Sequence, residues 1–432
     1  MLLYTIPLAR IRLAGARAIA GRLASGRAAV ALLLLAGCGD SSGPNGGGGG
    51  TLSGTVRSAG ESAVLEGATV SVATGTTTSD ASGHYELTAL PVGTATVRAQ
   101  RAGYLPAEAT VTISSGANTH DFALTVQETF HSGANAVYVP GGVGPVRGVI
   151  VVLGGPVTSG FVTGDRIAPP DSPDLERSLQ QLGASLRGLA KSAHVALLGS
   201  ATIGMASSAA SDATLFAALR AVAGTSGHPE VADAPVLMFG LSAGAREAAG
   251  LVSRNPERAI GLLVRVPVSV IDLTAPAVLA VPTFVMQAEL DAVVDNTTVR
   301  ATFADNRSRG GLWALAVEPR VAHNVATDRG NQVAIEWIST ALTQRIPGTS
   351  GDPLIALDPA SGWLGNQTTL EIAPWADYPE DRTKASWLLS PDAAMSWQLL
   401  GTVEDPSRFR GRATAALVPT RHSDVAAQRR PR

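Results

Sequence analysis

Ala234-Pro-Val-Leu-Met-Phe-Gly-Leu-Ser-Ala-Gly-Ala-Arg-Glu-Ala-Ala-Gly250 is the stretch on which the fold turns. Val236 to Phe239 is a short, wholly apolar run of the kind that forms a strand buried on both faces. Gly240-Leu-Ser-Ala-Gly244 interrupts it, and small residues in a helical pattern follow. A Gly-x-Ser-x-Gly turn between a strand and a helix is the context of a nucleophile elbow, in which a strained turn exposes a serine hydroxyl. Glycine at 240 and 244 leaves no Cβ to collide with the adjoining strand and helix. In a chain with 47 glycines the five residues alone could be an ordinary turn. The flanking strand and helix are what give Ser242 its weight.

Outward from the elbow, residues 126–345 alternate strand and helix patterns, which predicts a mostly parallel sheet with helices on both faces. Strands are expected at Val146 to Leu153, His194 to Leu198, Val236 to Phe239, Gly261 to Val266, Thr283 to Gln287 and Trp313 to Val317. Helices are expected at Asp174 to Lys191, Asp212 to Val222, Ala243 to Arg254, Thr297 to Arg307 and Arg329 to Leu342. This order resembles the α/β-hydrolase superfamily over the whole segment. The resemblance implies a Ser, then acid, then His order along the chain. Five of the seven histidines precede Ser242, and His422 lies in a polar tail, which leaves His323 as the base. His323 ends the loop Glu318-Pro-Arg-Val-Ala322, between the last strand and the last helix. Val281-Pro-Thr-Phe-Val-Met-Gln-Ala-Glu-Leu-Asp-Ala-Val-Val294 resembles the family's acid-bearing strand and loop, with Ala288 in place of a glycine. Asp291 takes the acid position, with Glu289 and Asp295 close enough to be rivals. The oxyanion-hole donors would be the amides of Ala243 and Gly155. Gly154-Gly-Pro156 replaces the family's His-Gly-Gly, and Pro156 has no N–H to give; a plain strand-end turn is the alternative for Gly155.

Residues 51–125 read as short β runs punctuated by Asp80-Ala-Ser-Gly83 and Pro91-Val-Gly93 turns. With Gly54-Thr-Val56, Glu66-Gly-Ala-Thr-Val-Ser-Val72, Leu90-Pro-Val-Gly93 and Ala102-Gly-Tyr104, they resemble the carboxypeptidase regulatory-like domain, an all-β prealbumin-like sandwich. That implies a spacer or interaction module, since a fold does not fix a function. His84 and His120 have no second ligand at metal spacing. Residues 346–402 hold four of the six tryptophans, Trp363, Trp375, Trp387 and Trp397, which pack on the core or line an acyl or sugar surface. Residues 403–432 are polar, arginine-rich and expected to be disordered.

Residues 1–37 read as an export signal. Arginines at 10, 12, 17, 22 and 27 precede an apolar run, Ala28 to Gly37, that is too short to span a bilayer. Leu35-Ala-Gly-Cys38 resembles the lipobox of bacterial lipoproteins, which implies lipidation at Cys38, anchoring at the cell envelope (outer membrane or cell surface) and partnership with a membrane. A plain secretory signal is the alternative. Residues 1–27 are long for a charged leader, which points to a start downstream of Met1. Residues 38–50, rich in glycine, read as a flexible tether. With one cysteine there is no internal disulfide, and a net charge of −2 gives no argument for nucleic acid. No metal or cofactor spacing is present, and Pro140-Gly-Gly-Val-Gly-Pro145 lacks the helix that phosphate binding needs.

Gly240-Leu-Ser-Ala-Gly-Ala245 with Ala316-Val-Glu-Pro319 resembles the polyhydroxyalkanoate-depolymerase and feruloyl-esterase branch of the superfamily. That implies an exported serine hydrolase acting on a small-molecule or polymeric ester through Ser242, Asp291 and His323. A prolyl-oligopeptidase-type serine peptidase and a non-catalytic binding or adhesion lipoprotein are the alternatives.

Overall fold

The computed structural model describes residues 49–154, 158–168, 172–200, 207–267, 276–323, 326–349 and 351–402. Cys38 with the export signal, Gly155, and the tail with His422 lie outside the described residues.

The first body is a β-sandwich. Its strands are β1 (Gly50–Ser58), β2 (Thr69–Val72), β3 (Gly75–Thr78), β4 (His84–Leu90), β5 (Gly93–Gln100), β6 (Ala107–Ile113), β7 (Gly116–Thr119) and β8 (Phe122–Leu124). One sheet runs β4-β1-β7, with β8 also on β1, and the other runs β3-β2-β5-β6. Alternate residues point inward, so Leu52, Val56, Val70, Tyr85, Leu87, Val97 and Phe122 form the core between the sheets. The Asp80 turn closes because its carboxylate accepts the amides of Ser82 and His84 at 2.8 and 3.0 Å. Gly50, which the sequence places in the tether, is the first residue of β1, where it pairs with Leu90 and Gly116. A Cβ there would meet Ile113 Cγ2 at 2.4 Å.

The second body is an α/β domain built on a mostly parallel sheet with helices on both faces. It contains β9 (Thr129–Ser132), β10 (Asn135–Tyr138), β11 (Val149–Leu153), α1 (Gly160–Thr163), α2 (Pro173–Ala193), β12 (Ala196–Ser200), α3 (Ala209–Ser226), β13 (Val236–Leu241) and α4 (Gly244–Arg254). It continues with β14 (Ala259–Arg265), α5 (Pro276–Leu279), β15 (Thr283–Ala288), α6 (Asn296–Ser308), β16 (Trp313–Glu318) and α7 (Asp328–Arg345). The eight-stranded sheet has the order β16-β15-β14-β13-β11-β12-β10-β9. The β9–β10 hairpin, which the sequence patterns do not predict, pairs antiparallel at one edge; the other strands run parallel. Strand side chains alternate between two cores. Ile150, Val152, Leu237 and Phe239 meet α2 and α7 on one face. Val149, Val151, Val236 and Met238 meet α3, α4 and α6 on the other. Burial on both faces is why these strands read as unbroken apolar runs. The sandwich meets this domain at Gly103, whose amide donates to Thr225 O at 3.0 Å.

Residues after α7 form β17 (Trp363–Gly365), β18 (Ile372–Pro374), β19 (Ser386–Leu388) and α8 (Pro391–Gly401). They cover the open edge of the large sheet with side chains rather than with a paired strand. Leu315 of β16 donates its amide to Ser386 Oγ at 2.9 Å. Its carbonyl accepts Trp397 Nε1 at 2.7 Å and Gln367 Nε2 at 2.9 Å. At Leu315 the amide and carbonyl of the edge strand are both satisfied, which blunts that edge as a template for another chain. Trp387 and Trp397 are buried in the core against α7, and Trp363 and Trp375 pack partly buried beside them. Arg307 of α6 is held by the Ala385 and Arg382 carbonyls, both at 2.6 Å, and burial lowers its pKa to about 10. Trp397→Ala is therefore expected to lower unfolding stability by about 3–5 kcal/mol in urea titrations. A loss below about 1 kcal/mol would show that the extension only rests on the sheet.

Candidate active site

Strand β13 ends because Ser242 adopts a left-handed backbone, with φ 49°. For a residue with a Cβ this conformation costs roughly 1–2 kcal/mol and persists only where the surroundings impose it. Here the Ser242 amide donates to Arg265 O at 2.9 Å, and the Ser242 carbonyl accepts the Ala245 amide at 3.1 Å. The two flanking glycines are sterically required. A Cβ at Gly240 would lie 2.5 Å from Ala245 Cα, and one at Gly244 would lie 2.2 Å from Leu153 O. The turn thus presses α4 against β11 and β13 and points the serine away from the strand.

His323 follows β16 and Asp291 follows β15, so the loops that carry them arise from neighbouring strands. The loops are tied together: the Glu289 amide donates to Glu318 O at 2.9 Å, and the Leu290 amide to Val321 O at 2.8 Å. The Ser242 hydroxyl lies 2.9 Å from His323 Nε2. On the far side of the ring, His323 Nδ1 lies 2.8 Å from Asp291 Oδ2. The Asp291 side chain is wholly buried and that of His323 is 8% exposed. A carboxylate at Nδ1 fixes the proton there and leaves Nε2 free to accept from the serine.

Asp291 is itself held on all sides. Its Oδ1 accepts the amides of Val293 and Val294 at 2.8 and 3.0 Å, and its Oδ2 also accepts Gln287 Nε2 at 3.2 Å. Burial pushes its pKa up, but the bonds from His323 and the two amides outweigh that and hold the carboxyl below its ordinary value. The two rivals are engaged elsewhere. Glu289 accepts the Arg320 amide at 2.8 Å, and Asp295 caps α6 by accepting the Thr297 amide at 2.9 Å. Gln287 was not singled out in the sequence, although it is the one polar side chain near the end of an apolar strand. Ala243 stands at the head of α4, where amides have no partner within the helix and the helix dipole favours negative charge.

A hydroxyl on an imidazole that is itself on a buried carboxylate can give up its proton as it attacks an electrophile.

Residues 51–125 match the carboxypeptidase regulatory-like domain family. No curated protein matches the chain by sequence. Among solved structures, esterase PE8 is similar at 16% identity over 45% of this chain and 93% of its own, with a TM-score of 0.31. The hyperthermophilic esterase of Pyrobaculum calidifontis is similar at 15% identity over 48% of this chain and 80% of its own, with a TM-score of 0.32. An S-formylglutathione hydrolase from Agrobacterium tumefaciens is similar at 14% identity over 50% of this chain and 94% of its own, with a TM-score of 0.34. The hydrogen-bonded geometry of the site, and not these likenesses, carries the functional assignment.

Proposed function

We propose that this protein is an exported, lipid-anchored serine hydrolase that cleaves a carboxylic ester through an acyl-enzyme intermediate. The observation that carries the proposal is the chain Ser242–His323–Asp291, at 2.9 and 2.8 Å, with the serine on a strained left-handed turn. Ser242 Oγ attacks the ester carbonyl carbon while His323 Nε2 takes its proton. Asp291 stays ionised and stabilises the imidazolium. The tetrahedral oxyanion is met by the Ala243 amide, with Gly155 as the proposed second donor. The intermediate collapses, the alkoxide takes the proton from His323, and the alcohol leaves. Water then loses a proton to His323 as it attacks the acyl carbon; the second tetrahedral intermediate collapses, Ser242 Oγ leaves with that proton from His323, and the acid is released.

Leu290 and Val293 stand 58% and 62% exposed on either side of Asp291, which supports a substrate with an apolar portion. The lipobox-like Cys38 supports attachment to the cell envelope, with the sandwich as a spacer and a small-molecule or polymeric ester outside the cell as substrate. Metal and cofactor have no part in the steps proposed. A panel of short-acyl nitrophenyl esters and aminoacyl amides tests the assignment. Ester turnover well above amide turnover is expected; cleavage of amides alone would reassign the protein as a peptidase.

A further inference from the structure

Arg265 closes β14 beneath the elbow, and its guanidinium is buried with the side chain 6% exposed. Its carbonyl receives the Ser242 amide. Its side chain turns toward the other half of the site. Nη1 donates to Asn331 Oδ1 of α7 at 2.8 Å, and Nη2 lies 3.6 Å from Glu318 Oε2 at the end of β16. Glu318 in turn accepts the hydroxyl of Thr327. Thr327 caps α7 by accepting the Gly330 amide at 2.9 Å, and Asn331 is pinned by bonds to the Ser178 carbonyl and hydroxyl, both at 2.9 Å. Glu318, before the loop bearing His323, and Thr327, after it, are thus joined through the Glu318 carboxylate, which lies beside the Arg265 guanidinium. No room is left at that junction. A Cβ at Gly330 would lie 2.7 Å from Arg265 Nη2 and 2.9 Å from Glu318 Oε2.

Stability gives a poor account of this cluster. Desolvating a guanidinium and a carboxylate is expensive, and apolar side chains of similar volume often serve as well or better. The ion pair here is long, and Nη2 makes no hydrogen bond with the described residues. What the cluster does supply is a rigid link between the strand under the nucleophile and the two ends of the base's loop. We propose that Arg265, through Glu318 and Thr327, is a positioning residue that holds His323 Nε2 on Ser242. The inference rests on the hydrolase reading above. Nothing in the cluster touches the reacting atoms; it acts by fixing a distance, and misplacement by about 1 Å far from the chemistry can cost about a hundredfold in rate.

The test uses the full chain, a short-acyl nitrophenyl ester and a fluorophosphonate probe. The double variant Arg265→Met with Glu318→Leu removes both charges together. It is expected to melt within a few degrees of wild type while kcat falls about a hundredfold at nearly unchanged KM. Labelling of Ser242 by the probe is expected to slow in parallel. Thr327→Val removes only the hydroxyl and keeps the proposal testable should the double variant not fold. It should lower kcat without moving KM, and Thr327→Ser should restore it. Wild-type kcat in the folded variants overturns the proposal. So does a loss of kcat that merely follows the melting temperature and that Thr327→Ser does not rescue. A wild-type protein that neither labels nor turns over ester would instead refute the hydrolase reading itself, and the positioning role with it.

Discussion

Ser242→Ala is expected to reduce kcat on the best ester by about 10⁶, leaving only the residual acceleration from binding and the oxyanion donors. Among the described residues no neighbouring group can substitute: His323 Nε2 faces the hydroxyl and no other nucleophilic group is bonded to it, while Asp291 is screened behind the ring. The same position carries a second expectation. At φ 49° any residue with a Cβ is strained, so Ser242→Gly should be about 1 kcal/mol more stable than Ser242→Ala and equally inactive. Denaturant titrations of the pair read this directly. Turnover in either variant within about tenfold of wild type would remove Ser242 from the chemistry.

Asp291→Asn is expected to lower kcat by about 10⁴ while the protein stays folded. The bonds around the carboxylate decide this outcome. Oδ1 accepts two backbone amides, from Val293 and Val294, so the amide oxygen of an asparagine must occupy that side. Its NH₂ group then faces His323 Nδ1, where a donor now meets a donor. The imidazole responds by moving its proton to Nε2, and the nitrogen that should accept from Ser242 no longer can. The effect should fall on kcat and on the rate of phosphonate labelling, with KM little changed. The lowered pKa of Asp291 gives a stability signature as well. A carboxyl held below its unfolded pKa of about 4 contributes stability at neutral pH, and that contribution is lost as the pH falls through the folded value. Acid unfolding of the asparagine variant should therefore be shallower than that of wild type. An unchanged kcat would show that the ring is oriented by something other than Asp291.

The sheet was legible because burial on both faces writes strands as apolar runs, and because Gly240 and Gly244 mark a turn too tight for side chains. Ser242 directly follows such a run, whereas Asp291 and His323 lie in the loops after β15 and β16 and are picked out by the chain order that the hydrolase resemblance implies. Other parts left little trace. The β9–β10 hairpin is two four-residue strands around Gly133, too short for a period to be read. The extension after α7 owes its order to contacts with residues far back in the chain, among them Leu315 and Arg307. Such contacts have no local pattern. Arg265 and Glu318 each end an apolar strand with a charge, and that was the available signal. Only the folded topology shows that the two charges meet.

The central claim is that Ser242 is a nucleophile activated by His323. Incubating the full chain with a fluorophosphonate and mapping the adduct by peptide mass spectrometry tests it most directly. One phosphonyl group is expected, on Ser242, formed in the folded protein and not formed in protein heat-denatured beforehand or in His323→Ala. A folded wild-type protein without the adduct, or with labelling undiminished in Ser242→Ala, would contradict the claim.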